Sequence, residues 1–245
     1  MRIADDFGLG REHDKVILDL IERRRLDGTS VMIDGDIAAR DVDRLRQLRS
    51  HGVQVGLHLN VTHDFSGKAA HRDVGRLLLA CLSGRLPEGI RGEFQRQSEK
   101  FQTVFGFTPD YYDGHQHCHC LPGLDTVAAD LPHDAGTWIR VPVPATLAGL
   151  VLNLRAGGPK VLLIATLALL AGRTFRKAGW ARNRDFSGFL HLDHPDQVAR
   201  WLPRLLAAAP TDGVTMVHPG SATDPVQCPG HIAESRGIEA SILSA

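Results

Sequence analysis

The chain has 245 residues, and its 28 Lys and Arg are balanced by 28 Asp and Glu, so the formal net charge is zero. That balance argues against a non-specific nucleic-acid binder and against a polybasic membrane-surface protein, since both need a basic field. An apolar fraction of 43% likewise argues against a disordered chain. The compositional oddity is 13 His against 2 Tyr and 3 Met; imidazole is both a common metal ligand and the side chain that titrates near neutral pH.

In chain order, the N-terminus has no apolar stretch of the signal-peptide kind. This gives the expectation of a cytoplasmic protein with Cys81, Cys118, Cys120 and Cys228 as reduced thiols. Arg2–Asp5 reads as a short strand running into Asp6, Phe7 and Gly8. Val16, Ile17, Leu20 and Ile21 recur on one face and predict a helix over Glu12–Leu26, with Gly28 just past its end. Thr29–Ile33 is a β-branched strand, Ile37–Ser50 a helix ended by Gly52, and Val53–Leu59 a strand. Asn60 to Gly92 is less regular, a loop with a short helix. Phe94–Phe105 is helical, and Tyr111–Asp113 is a strand entering a polar loop.

Leu124–Leu131 is then a short helix and Trp138–Val141 a strand. Ala145 to Ala178 is mostly helical, broken near Gly157-Gly158-Pro159. Within it, the apolar run from Val161 to Ala171 is shorter than the roughly 20 residues a membrane span needs, so it reads as a buried core helix without a transmembrane segment. Gly188–Leu192 is a strand, Pro195–Ala208 a helix, Val214–His218 a strand, and the chain from Ile232 onward is helical. Repeated strand–helix units with apolar strands imply a parallel sheet wrapped by helices, and six or seven of them suggest a (β/α) barrel, one domain over residues 1–245.

The unusual polar groups fall at strand ends. Asp5 and Asp6 end the first strand, and His58 lies near the end of Val53–Leu59. Asp113, His115, His117 and His119 follow the strand at Tyr111, and His218 ends Val214–Val217. In parallel α/β folds those ends share one face, where sites are built. Taken singly, an Asp pair can cap a helix and His58 can be a core residue. The run Asp-Gly-His-Gln-His-Cys-His (113–119) is harder to bury without a metal or a proton network. Cys118 and Cys120 flank His119, but their C-x-C spacing lacks the C-x2-C pairing usual in thiolate zinc sites. His13, His51 and His71 read as ordinary surface or core residues.

Ala-Asp-Asp-Phe-Gly-Leu-Gly (4–10), Gly-Leu-His-Leu (56–59), Asp-Gly-His-Gln-His-Cys-His (113–119) and Val-His-Pro-Gly (217–220) occur in that order. Together they resemble the four motifs of the YdjC-like family, the ChbG/HpnK-type carbohydrate deacetylases. Phe186-Ser187-Gly188-Phe189 and the pair Arg236 and Glu239 are similar to further family features. The resemblance implies a distorted or incomplete, polysaccharide-deacetylase-like barrel that removes acetyl groups from N-acetylated sugars, with a divalent metal as cofactor. It implies Asp6, His58 and His115 as metal ligands, Asp5 as catalytic base and His218 as the catalytic His, with Asp113, His117 and His119 as supporting groups. Against the family pattern both chain ends look short, and relatives suggest a homodimer.

The chemistry suits those residue types. Amide hydrolysis needs an activated water and a polarised carbonyl, which a bound cation provides, and two His with one Asp leave positions open. Asp5 would take the water's proton and His218 would protonate the leaving amine. The resemblance implies Mg2+, while two imidazoles suit Zn2+ by ligand softness. The substrate is open between an oligosaccharide and a glycolipid. The alternatives are a metal-dependent hydrolase of another bond and a carbohydrate-binding barrel without turnover.

Overall fold

The computed structural model describes residues 1–66, 73–86, 88–209, 212–226, 228 and 230–245; His71 lies outside them. Among the described residues, eight strands form one parallel sheet: β1 (Arg2–Phe7), β2 (Gly28–Val31), β3 (Gln54–Leu59), β4 (Tyr111–Gly114), β5 (Trp138–Ile139), β6 (Ala181–Arg182), β7 (Phe186–Ser187) and β8 (Val214–Val217). Their spatial order is β6-β5-β4-β3-β2-β1-β8-β7. The two edge strands, β6 and β7, are joined by only Asn183, Arg184 and Asp185, a linker that can span no more than about 14 Å. The sheet must therefore curl until its edges approach, and the result is a half-barrel that β6 and β7 do not close by pairing.

The period-2 alternation of the strands divides the apolar residues between two faces. Ile3, Tyr111, Phe186, Val214 and Met216 form one buried cluster with Val161 and Phe189. Their neighbours Ala4, Tyr112, Val55, Leu57, Ile139 and Val217 belong to the main core. That core is completed by helices α1 (Arg11–Glu22), α2 (Ala39–Ser50), α4 (Ile90–Phe105), α5 (Leu124–Ala129), α8 (Pro195–Ala207) and α9 (Ala233–Ser244). Helices α3 (Val74–Leu82) and α7 (Lys160–Lys177) flank the C-terminal side of the strands, and α6 (Leu147–Gly157) packs on α7 and α8.

The register breaks once, in β1. Ala4 pairs with Thr29, but Phe7 pairs with Val31, so one extra residue is accommodated at Asp5-Asp6. Asp6 takes a left-handed conformation there, with φ 67°. In a regular strand two successive side chains face opposite sides. The bulge lets both carboxylates stay on the side of the site.

Four sequence expectations are corrected. The first helix ends at Glu22 rather than Leu26, and Gly28 opens β2; a side chain there would meet the Gln54 carbonyl at 2.5 Å. Gly188–Leu192 is not a strand: the strand is β7, and it stops where Gly188 adopts φ 112° against the Met216 carbonyl. β6 was not foreseen. The run Val161–Ala171 is only half buried: Val161, Ala165, Ala168 and Ala171 face the core, while Leu162, Leu163, Leu169 and Leu170 are each about half exposed. Small residues on one face let α7 pack closely, which turns its leucines outward. No helix among the described residues is long and apolar enough to cross a membrane.

The loop after β1 is tied down by α1. Asp14 is buried and accepts the Gly8 N–H at 2.7 Å, and the Asp224 carboxylate accepts the Glu12 and His13 amides. His13 is a core residue whose Nδ1 accepts the Ser221 N–H. Burial pushes the Asp14 carboxyl from 3.8 up to about 8. A raised acid favours folding fully below its unfolded pKa and loses that advantage as pH rises toward 8. Asp14→Asn keeps an acceptor for Gly8 without the titration. Its melting temperature relative to the parent chain is expected to be more favourable at pH 8 than at pH 5; calorimetry showing an equal difference at both pH values would refute this reading.

Candidate active site

Residues at the C-terminal ends of β1, β3, β4, β5 and β8 converge into one buried cluster. Arg140, directly after β5, is fully buried. Its guanidinium grips both Asp5 oxygens at 2.6 and 2.9 Å and also reaches Asp113 at 2.7 Å. The Ser30 hydroxyl, on β2, donates to Asp113 at 2.7 Å and lies 2.9 Å from the Tyr111 hydroxyl. This fork-shaped recognition of two carboxylates is a role lysine could not fill.

Asp113 passes the constraint to His58, whose Nδ1–H donates to it at 2.6 Å and whose Nε2 is therefore aimed at Asp6, 3.2 Å away. His115 Nδ1 lies 2.9 Å from the same Asp6 oxygen. The other Asp6 oxygen accepts from Arg236 at 2.7 Å, with His231 Nδ1 at 3.7 Å. Asp6 is thus a single carboxylate on which His58 and His115 converge. The triplets of donor atoms lying within 4.8 Å of one another are Asp6–His115–Cys228, Asp6–His218–His231 and Asp5–His58–Asp113. His58 and His115 rings stand 5.7 Å apart, centroid to centroid.

The charges follow. Burial acts to raise Asp6, but the His115 and Arg236 charges hold it well below the usual carboxylate range. Burial outweighs Arg140 at Asp5 and pushes that carboxyl up. Burial opposes protonation of His58 and His115, yet Asp113 and Asp5 lift His58 to about 10 and Asp6 lifts His115 to about 9. Burial, with the neighbouring His231, Arg236 and His58 charges, outweighs the pull of Asp6 and keeps His218 neutral. Its backbone N–H donates to Glu239, while its Nδ1 is buried without a partner.

The polar run after β4 forms a 3-10 turn, His115–Cys120, with Gln116 and His117 both left-handed. That turn separates three histidines that the sequence places side by side. His115 goes to Asp6, His119 Nε2 meets the Arg140 carbonyl at 2.8 Å, and His117 packs against the edges of Phe186 and Phe189. Cys118 donates to the Leu59 carbonyl, and Cys120 contacts His119. Arg140, Ser30, His231 and Cys228 were not singled out from sequence. Arg140 carries the one readable signal, a lone charge closing an apolar strand at the same sheet end as the other site residues.

The cluster forms the floor of a cleft of about 310 Å3. Asp5, His58, His115, His218 and His231 face it, and its walls are apolar: Leu78 from α3, Leu163, Ile164 and Leu167 from α7, and Leu190 and Leu192. A larger cavity of about 690 Å3, lined by Asp34, Asn60, Glu93 and Arg96 among others, contains none of the clustered groups. The chemistry therefore lies in the smaller one.

The sequence profile of the YdjC-like proteins matches residues 3–244. The chain belongs to the YdjC-like family. A carbohydrate deacetylase of Mus musculus is 27% identical over 172 residues, 58% of this chain and 54% of the mouse protein. A chitooligosaccharide deacetylase of Serratia marcescens is 31% identical over 129 residues, 49% of this chain and 50% of that protein. The match thus spans about half the length of these relatives. A crystal structure from Enterococcus faecalis V583, provisionally described as a cellobiose-phosphate cleavage protein, superposes on 100% of this chain and 90% of its own with a TM-score of 0.61 at 16% identity. That likeness establishes the α/β half-barrel fold.

Arg140→Met would leave Asp5 and Asp113 buried without their shared cation. Denaturant unfolding at pH 7 is expected to show a loss of about 3–5 kcal/mol. The loss should shrink as pH falls and the orphaned carboxylates take up protons; a variant as stable as the parent at pH 7 would contradict the network described.

Proposed function

We propose that the chain is a metal-dependent hydrolase that removes acetyl groups from N-acetylated sugars. One observation carries this reading. Asp6 offers a single carboxylate to which His58 and His115 converge, beside an Arg140-held Asp5 on the floor of a cleft. The deacetylase names of the relatives support the carbohydrate substrate.

Asp6, His58 and His115 would hold the cation. The donor set fits: one carboxylate oxygen with two imidazoles suits zinc and leaves room for magnesium, which the family resemblance implies. When bound, a divalent cation lowers the pKa of water and polarises a carbonyl oxygen. His58 is oriented for this role because Asp113 occupies its Nδ1 and leaves Nε2 toward Asp6, the carboxylate–histidine arrangement common behind metal ligands.

Asp5 would accept the proton of the attacking water. Its upward shift moves it toward the operating pH, which favours a general base. Arg140 fixes both of its oxygens, so its direction is set before substrate arrives. His218 would deliver a proton to the leaving amine. The free site keeps His218 neutral, so the proton it delivers would first have to be taken up from solvent. Negative charge developing on the carbonyl oxygen beside it is what would draw a proton onto the ring.

A phosphoester substrate fits less well, because Arg140 and Arg236 are both spent on Asp5, Asp113 and Asp6. Between a free oligosaccharide and a glycolipid, the leucine walls of the cleft favour a sugar that carries an apolar group.

Acetate release from N-acetylglucosamine oligomers and from N-acetylated glycolipids, with Mg2+ or Zn2+ added, tests the activity; none with any substrate or metal would leave a binding barrel. Asp5→Asn is expected to lower turnover by roughly 10²–10⁴-fold while keeping metal. His58→Ala and His115→Ala are expected to lose metal by elemental analysis, and stoichiometric metal in either would remove that residue from the ligand set.

A further inference from the structure

We propose that the outward faces of α6 and α7 form a peripheral docking surface for an anionic lipid bilayer, which holds the mouth of the cleft against the membrane. Such docking needs neither a metal nor turnover. Joined to the reaction proposed above, it opens the cleft to lipid-borne sugars.

The charge of the chain is unevenly spread. Residues 145–184 hold seven Lys or Arg and no Asp or Glu, so the zero net charge of the whole hides a local basic field. Arg155, Arg173, Arg176 and Lys177 are exposed there. Elsewhere on the surface arginines are matched, Arg11 with Asp36, Arg23 with Asp19 and Arg46 with Asp43. Neither α6 nor α7 carries an acid that could pair with the four exposed cations, and among the described residues none of the four enters an ion pair.

Apolar side chains share these faces. On α6, Leu147, Val151 and Arg155 recur every fourth residue and are all exposed. On α7, Leu162, Thr166, Leu169 and Arg173 repeat the order, with Leu163 and Leu170 beside them. Each stripe starts apolar and ends basic. The Thr166 hydroxyl donates back to the Leu162 carbonyl at 2.8 Å, so the one polar side chain among the outward leucines is satisfied within the helix. A single exposed leucine is ordinary, whereas a contiguous row of them marks an interaction surface.

The surface is continuous with the cleft. Leu163 is half exposed and also lines the cleft, together with Lys160, Ile164 and Leu167. Helix α3 supplies Leu78 to the cleft and exposes Leu79 and Leu82. Charge then selects the occupant. A helix lying in the bilayer interface buries its leucines at the headgroup boundary and keeps Lys and Arg among the headgroups, and an anionic leaflet attracts each of those cations. A second copy docked through the same face by two-fold symmetry would set basic against basic. No helix among the described residues is long and apolar enough to cross a membrane, so the contact is peripheral.

Flotation of the whole chain with phosphatidylglycerol or phosphatidylcholine vesicles tests this. Binding is expected to phosphatidylglycerol, about tenfold or more weaker to phosphatidylcholine, and falling as salt rises. The triple variant Arg173→Gln, Arg176→Gln, Lys177→Gln should weaken it about tenfold or more, and so should the double variant Leu169→Gln, Leu170→Gln. None of these residues lines the cleft, so acetate release from soluble N-acetylglucosamine oligomers should be unchanged in both variants. In Leu170→Trp, phosphatidylglycerol vesicles should move the emission to shorter wavelength, and brominated lipid should quench it. The docking proposal is overturned by no binding to phosphatidylglycerol, by equal binding to both lipids, by binding that survives either set of substitutions, or by Leu170→Trp emission that vesicles leave unmoved. A dimer that ignores vesicles and that the double leucine variant dissociates would assign the face to a second copy and overturn it too. Each of these outcomes leaves the deacetylase reading standing. Vesicle binding without acetate release from any substrate overturns that reading and leaves the docking surface.

Discussion

The guanidinium of Arg140 is the constraint on which the buried site depends. It has no access to water, so its charge must be met inside the protein, and the two carboxylates that meet it are Asp5 and Asp113. Removing the guanidinium would leave both carboxylates without their shared cation in a dry environment. Each carboxylate then fixes a further group: Asp113 fixes the face of His58, and Asp5 accepts from Ser30, which also bonds Asp113 and Tyr111. A packed apolar core of the same volume would be at least as stable as such a network. What the ions contribute is position, because each has few alternatives that leave nothing unpaired.

The backbone is bent to make this convergence feasible. Without the extra residue in β1, one of Asp5 and Asp6 would point into the helical layer. Instead Asp5 joins Arg140 and Asp6 joins the imidazoles, two adjacent residues with separate tasks. The left-handed Asp6 carries a strain of order 1–3 kcal/mol that surrounding bonds must offset. Four of them lie close by, from His58, His115, Arg236 and the turn at Leu9. The two left-handed residues after β4 act similarly, dividing His115, His117 and His119 among different neighbours.

Much of this was legible in the sequence where polar residues interrupt an apolar, β-branched pattern. Asp5, Asp6, His58, Asp113, His115 and His218 each close a strand, and a parallel sheet gathers strand ends by construction. Arg140 closes an apolar strand at the same sheet end, but one Arg after Trp-Ile looks equally like an ordinary strand exit to solvent. Ser30 and Tyr111 are typical sheet residues, and only the third dimension shows that their hydroxyls meet. Cys228 and His231 lie where there is no periodicity to read. The misplaced strand at 188–192 has a local cause. Gly-Phe-Leu-His-Leu has strand composition, but the Met216 carbonyl sits where a side chain on Gly188 would be, and the positive φ this requires ends the strand. On α7, a continuous apolar run looked buried, although Leu162, Leu163, Leu169 and Leu170 are each about half exposed.

The charge inventory of the site explains why it can accept a divalent cation without rebuilding. Asp5, Asp6 and Asp113 face two guanidiniums, Arg140 and Arg236, and two imidazoles held in their charged form, His58 at about 10 and His115 at about 9. Those two ring protons occupy the positions around Asp6 where a cation would sit. Exchanging them for one divalent ion leaves the net charge of the pocket unchanged, so neither the Arg140 fork nor the Arg236 bond needs to move. The charges are paired inside the half-barrel, and the cleft wall offered to an incoming substrate is mostly apolar, with Lys160 and Gln116 among its polar members.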